Sequence, residues 1–134
     1  MRYLLDTNTV IDYLNGAFPN TAMQRLDMII DNESIISVIT KMETLGFNFK
    51  AIEELNVMEA FIDGSVILNI DNGIVDKTIE IRKIRKLKFP DAIIAATALV
   101  YSLTLLSGNL ADFKNINGLT VIDPYSLLKD IPQY

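Results

Sequence analysis

Short apolar runs alternate with longer amphipathic stretches along this chain. Arg2–Leu5, Ser34–Ser37, Val66–Ile70, Thr104–Ser107 and Leu119–Ile122 read as strands. The stretches between them read as helices. Thr7–Asn15 is closed by Gly16, and Thr21–Ile30 places Ala22, Leu26 and Ile29 on one face. Ile39–Phe47 and Lys50–Ile62 follow, the second stopped by Asp63-Gly64. Asp71-Asn72-Gly73 opens a basic helix that reaches to about Leu87. Asp91–Ser102 is apolar almost all round, the pattern of a buried helix, and Pro90 stands at its start, where a missing N–H is tolerated.

Strands separated by helices in this order predict an α/β fold, a parallel sheet with helices on both faces. In such sheets the ligand crevice lies beyond the carboxyl ends of the strands. Asp6 directly follows the first strand and so stands at one of those ends. No linker, repeat or low-complexity run interrupts the 134 residues, and the length predicts a single domain over residues 1–134.

Composition narrows the chemistry. The chain has no His and no Cys. That excludes Ser-His-Asp catalysis, His-ligated zinc, thiol nucleophiles and a disulfide framework. Hydrolytic chemistry would have to use carboxylates, whose oxygens suit hard cations such as Mg²⁺ or Mn²⁺. The absence of Cys and of a signal-peptide pattern points to a reducing cytoplasm. The most apolar run, Ala92–Leu106, falls short of the roughly 20 residues a membrane span needs, so no membrane role is expected.

Charge is unevenly spread. Residues 77–88 hold six of the twelve basic side chains and one acid, a net +5 in a chain of net −5, so the remainder carries −10. A stripe of that kind could meet phosphates; the plainer readings are a solvated helix face or a contact for an acidic protein.

Four acids stand out by position. Asp6 follows the first strand, Glu43 lies in the helix after the second, Asp91 opens the buried helix, and Asp112 follows the fourth strand. Each has a plainer reading: helix caps for Asp6 and Asp91, a surface residue for Glu43, a turn residue for Asp112. Together, each just after a strand or early in the helix that follows, they suggest convergence on a cation.

These residues sit in stretches that resemble a known family. The stretches are Leu4-Leu5-Asp6-Thr7-Asn8, Ser37 to Gly46 around Glu43, Pro90-Asp91-Ala-Ile-Ile-Ala-Ala-Thr, Leu106 to Phe113, and Gly118 to Pro124. In this order they resemble the PIN (PilT N-terminus) domain ribonucleases, specifically the VapC-like toxins of toxin–antitoxin pairs. The resemblance implies a three-layer α/β/α domain with a central, mostly parallel sheet of four to five strands. It also implies a metal-dependent endoribonuclease with an acidic pocket for Mg²⁺ or Mn²⁺. The family's first three acids fall on Asp6, Glu43 and Asp91. Some members place the fourth where this chain has Asn109, others three residues later at Asp112; Asp112 is taken as the ligand, with Asn109, Thr7 and Asn8 as polar helpers. Ser107 stands where the family usually has Thr. By resemblance, the partners are an RNA substrate, a cognate antitoxin and a second copy of the chain in a homodimer.

Two other α/β classes fit less well. A receiver domain wants paired acids after the first strand and a Lys after the last, and a dinucleotide fold wants a G-x-G-x-x-G turn; neither is present. The remaining alternative is a catalytically inactive module of the same fold that binds RNA or protein.

Overall fold

The computed structural model of the protein describes residues 1–127. Five strands, β1 (Tyr3–Leu5), β2 (Ile35–Ser37), β3 (Val66–Leu68), β4 (Thr104–Leu106) and β5 (Val121–Ile122), form one all-parallel sheet in the order β3-β2-β1-β4-β5. Seven helices connect them: α1 (Thr7–Leu14), α2 (Asn20–Asn32), α3 (Val38–Leu45), α4 (Ile52–Asp63), α5 (Asn72–Ile84), α6 (Phe89–Val100) and α7 (Leu110–Phe113). A 3₁₀ turn, Pro124–Ser126, closes the described chain.

The three layers follow from the side-chain period of a strand. Successive residues point to opposite faces. Leu4, Ile35 and Leu105 pack into one cluster with Ile74 and Ile81 of α5 and the Ala-rich face of α6. Leu5, Ile36 and Leu106 pack into the other with Val10 of α1, Ala22 and Leu26 of α2, and Met58 and Ile62 of α4. Both faces of the central strands are therefore dry, which is why these runs are apolar without alternation. Buried threonines inside the helices bond back one turn: Thr44 to the Thr40 carbonyl at 2.8 Å, Thr78 to Ile74 at 2.7 Å and Thr97 to Ile93 at 2.7 Å. Among the described residues no buried side-chain polar atom lacks a partner.

The sheet reverses its order between β1 and β4. From β1 the chain moves outward through β2 to β3, then returns by α5 and α6 to place β4 on the opposite side of β1. The Asp6 N–H bonds the Leu106 carbonyl at 3.2 Å, and the Thr9 hydroxyl donates to the same carbonyl at 3.0 Å. The loops after β1 and β4 thus diverge around one crevice, the place where open α/β sheets bind ligands.

Element boundaries differ from the expected ones in ways that have causes. The basic helix ends at Ile84 rather than near Leu87. Arg85 is extended (φ −146°, ψ 136°), and Leu87 turns inward to join the core while its carbonyl accepts from Arg82 Nη1 at 3.1 Å. Burying Leu87 outweighs continuing a helix of crowded like charges. The following helix begins at Phe89, two residues early, because Pro90 is compatible with a first turn. The edge strands β3 and β5 are shorter than expected, each having a neighbour on one side only. Residues 128–134 of the expected domain lie outside the described residues.

Candidate active site

Asp6 is the N-cap of α1: its Oδ1 accepts from the Thr9 N–H at 2.8 Å. It is nevertheless more than a cap. Only 7% of it is exposed, and burial pushes its carboxyl above the ordinary Asp value, while hydrogen bonds from the Ser107 hydroxyl and from Thr9 pull the other way. A cap on a surface helix has water for its second oxygen. This one faces the crevice between β1 and β4.

Asp91 reaches the same crevice from the first turn of α6. It is not the cap that position suggested, since the helix starts earlier and Lys88 occupies the N-cap without a side-chain bond. Its carboxyl is pushed up by burial first, then by the negative charges of Asp112 and Glu43, and further by Asp6; Lys88 opposes them. All three other acids singled out in the sequence therefore act on Asp91. Acids from three other parts of the chain are brought within electrostatic reach of one carboxylate.

Glu43 lies in the last turn of α3, not early in its helix as expected. That is an unfavourable place for an anion, because the partial negative charge of the helix end lies there. The Thr7 hydroxyl holds it, donating to Glu43 Oε1 at 2.6 Å. A hydroxyl has one proton, so the 3.1 Å contact between Thr7 and Thr40 is donated by Thr40. Asp112 is exposed in the four-residue α7 rather than in a turn, and its Oδ2 accepts from Asn109 Nδ2 at 2.8 Å. The Asn109 backbone N–H in turn rests on the Ser107 hydroxyl at 3.0 Å.

A cleft of about 130 Å³ opens between these groups, lined by Asp6, Thr7, Asn8, Glu43, Asp91 and Asn109 with Ile94 and Phe113 behind them. Asp112 is not among the lining residues, but its charge acts on Asp91. A second hollow of about 480 Å³ adjoins it across Asp6, Asn8 and Asn109, with Asp12 and Tyr125 on its far wall. Tyr125 donates to Asp12 at 3.1 Å. The sequence reading passed over Thr9, Thr40 and Asp12. Thr40 carried a signal, since it lies three residues before Glu43 on the same helix face. Asp12 carried none.

The donor set has the chemistry of a hard-cation site: carboxylates, hydroxyls and amides, with no imidazole or thiolate. The mutual repulsion at Asp91 is what a bound cation would relieve. Among the described residues, however, no group of three or more acids stands in an arrangement that could hold an ion unaided. The two facts are compatible, because Mg²⁺ commonly takes one or two carboxylates and completes its shell with water and substrate oxygens.

A parallel α/β/α fold with a carboxylate cleft at its switch point defines a class of acid-site domains. The chain belongs to the PIN domain family, whose model matches residues 3–119. Solved structures agree. A toxin–antitoxin complex from Klebsiella pneumoniae contains a chain 31% identical to this one, with TM-score 0.73, covering 92% of this chain and 98% of that one. The DNA-bound VapBC of Salmonella typhimurium is 26% identical with TM-score 0.77, again over 92% and 98%. FitAcB of Neisseria gonorrhoeae is 26% identical with TM-score 0.74, over 93% and 99%. Among curated proteins none matches the chain significantly. Among the described residues no helix is long and apolar enough to cross a membrane.

Proposed function

We propose that the protein is a metal-dependent endoribonuclease, the toxin of a toxin–antitoxin pair. The observation that carries this reading is the cleft that Asp6, Glu43 and Asp91 line together, where the Asp91 carboxyl is raised first by burial and then by the charges of Asp112, Glu43 and Asp6. Family membership and the toxin–antitoxin neighbours support the biological setting.

Asp6 and Asp91 would hold a Mg²⁺ or Mn²⁺ ion, which supplies positive charge facing the scissile phosphate and a water of lowered pKa where no His is available as base. Asp6 is the rigid member, fixed by Thr9 and Ser107. Glu43 orients the attacking water and takes its proton, and Thr7 aims Glu43 through the 2.6 Å bond. Asp112, steadied by Asn109, would add a further carboxylate to the donor set. Asn8 borders both hollows and is placed to contact a substrate oxygen. A carboxylate held at a helix C-terminus, as Glu43 is, adds nothing to helix stability, which favours a chemical role for it. RNA would be the substrate and an antitoxin the natural inhibitor, with the chain acting as a homodimer in the cytoplasm.

The test is cleavage of RNA with Mn²⁺ or Mg²⁺, with and without EDTA, for the native protein and Asp6→Asn. Cleavage is expected for the native protein with metal alone. Activity that survives both chelator and substitution rules the mechanism out.

A further inference from the structure

We propose that Phe89, braced by Arg82, is a stacking platform for a nucleobase of single-stranded RNA flanking the cleaved bond. The inference rests on the RNA reading above and names the contact that would grip the substrate outside the acid cleft.

Phe89 opens α6 two residues before Asp91, yet 58% of it is exposed. A large aromatic ring left open to solvent two residues from a cleft carboxylate is an odd choice. Its setting is specific. The Arg82 guanidinium lies over the ring, 4.9 Å from its centroid, within the range of a cation–π contact. Arg82 is itself fixed by the bond from Nη1 to the Leu87 carbonyl at 3.1 Å. One face of the ring is thus occupied by a held cation, and the exposure belongs to the rest of it.

The surroundings select the occupant. The end of α5 and the residues that lead to α6 form the basic segment of an otherwise acidic protein, and residues 82–87 frame an open hollow of about 380 Å³. Lys83, Lys86 and Lys88 are exposed around it. Single-stranded nucleic acid is gripped by this combination, a cationic track for the backbone and an aromatic face for a base. Residues two apart on a helix project to nearly opposite sides, so Phe89 does not enter the cleft with Asp91. It would hold a neighbouring nucleotide, and Lys88, next to Phe89 in the chain, has a charge that reaches Asp91.

The chain contains no Trp, so Phe89→Trp introduces a sole indole at the platform. Its fluorescence is read in EDTA and low salt during titration with a hexa-adenylate RNA, an abasic sugar-phosphate hexamer and hexaglutamate. Quenching by RNA and not by the abasic oligomer is expected. Phe89→Ala should raise the Kd for RNA about 5- to 150-fold, the range stacking of one base supplies, with unchanged binding of the abasic oligomer; Phe89→Tyr should keep near-native affinity. Equal quenching by RNA and abasic oligomer, equal RNA affinity of the native protein and Phe89→Ala, or no RNA binding at all overturns the proposal. Quenching by hexaglutamate as strong as by RNA overturns it in favour of an acidic protein segment. Cleavage with Mn²⁺, measured in parallel, separates the two claims. Base-dependent quenching without cleavage retains the platform and removes the nuclease. Cleavage by Phe89→Ala at the native rate and RNA affinity does the reverse.

Discussion

Asn109 donates its side-chain amide to Asp112 at 2.8 Å, which ties together the two residues that could each have supplied the fourth polar group of the cleft. On the proposed reading Asn109 is the support and Asp112 the charged member. Asn109→Ala is expected to lower Mn²⁺ affinity and RNA cleavage by about 10- to 100-fold, the usual effect of removing a partner of a metal-binding carboxylate. Stability should barely change, since both residues are exposed. Calorimetric titration with Mn²⁺ and a cleavage assay check this. Unaltered values in both would remove Asp112 from the site.

The relay from Thr40 through Thr7 to Glu43 makes a separable prediction. Thr7→Val removes the 2.6 Å bond to Glu43 and leaves the fully buried Thr40 hydroxyl without its acceptor. The orphaned hydroxyl should destabilise the fold by about 1 kcal/mol. The loss of aim at Glu43 should lower kcat by about 10- to 100-fold with little change in KM. Thr7→Ser keeps the hydroxyl and should keep both. Denaturant melts and steady-state kinetics on the three proteins decide it. A kcat for Thr7→Val equal to the native value would free Glu43 from any dependence on this bond.

Asp91 predicts a pH dependence with a definite sign. Its folded-state pKa lies above the unfolded value, so the folded protein binds its proton more readily. The protonated carboxyl is the better tolerated form. Metal-free stability from this group is therefore greatest below the unfolded pKa, about 3.9, and declines as pH rises from there through the raised native value. Asp6 follows the same sign. A divalent cation favours the ionised form and should reverse the decline. Asp91→Asn is expected to melt higher than the native protein in EDTA at neutral pH, to lose that advantage at low pH, and to gain less from Mn²⁺. Thermal melts across pH, with EDTA or Mn²⁺, measure all three. A native protein that melts higher than Asp91→Asn in EDTA at neutral pH would refute the cost of burying this charge among other acids.

Much of this was legible because two signals are strong in the chain. Apolar runs such as Leu4-Leu5, Ile35-Ile36 and Leu105-Leu106 have one residue for each core, so strand, sheet type and layering could be read together. Asp6 and Asp91 are abrupt acids at the ends of apolar runs. What escaped depends on contacts distant in sequence. The end of α5 is set by Leu87 entering the core, which no local rule states. Thr40 and Thr9 look like ordinary helix threonines until the Thr7 hydroxyl and the Leu106 carbonyl arrive beside them. Asp91 looks like a cap because Pro90 precedes it, and only the true start of α6 at Phe89 removes that role.

Asp71 supplies the contrasting case of an acid after a strand that remains structural. It caps α5 through the Ile74 N–H at 2.8 Å and accepts a hydrogen bond from the Tyr101 hydroxyl at the far end of α6. The Tyr101 bond first, then the cap bond, hold its carboxyl below the ordinary value. The sign is opposite to that of Asp91. A depressed folded-state pKa gives stability that is present above the unfolded value and is lost as pH falls through the folded one. Tyr101→Phe should weaken that contribution, and Asp71→Ala should remove it along with the cap, lowering the melting temperature at neutral pH and flattening its fall in acid. Neither should alter RNA cleavage per folded molecule, because neither residue lines the cleft or acts on the charge of Asp91. Paired melts at neutral and acid pH with a cleavage assay test the assignment. A cleavage defect in Asp71→Ala with native stability would mean that this acid, too, belongs to the chemistry.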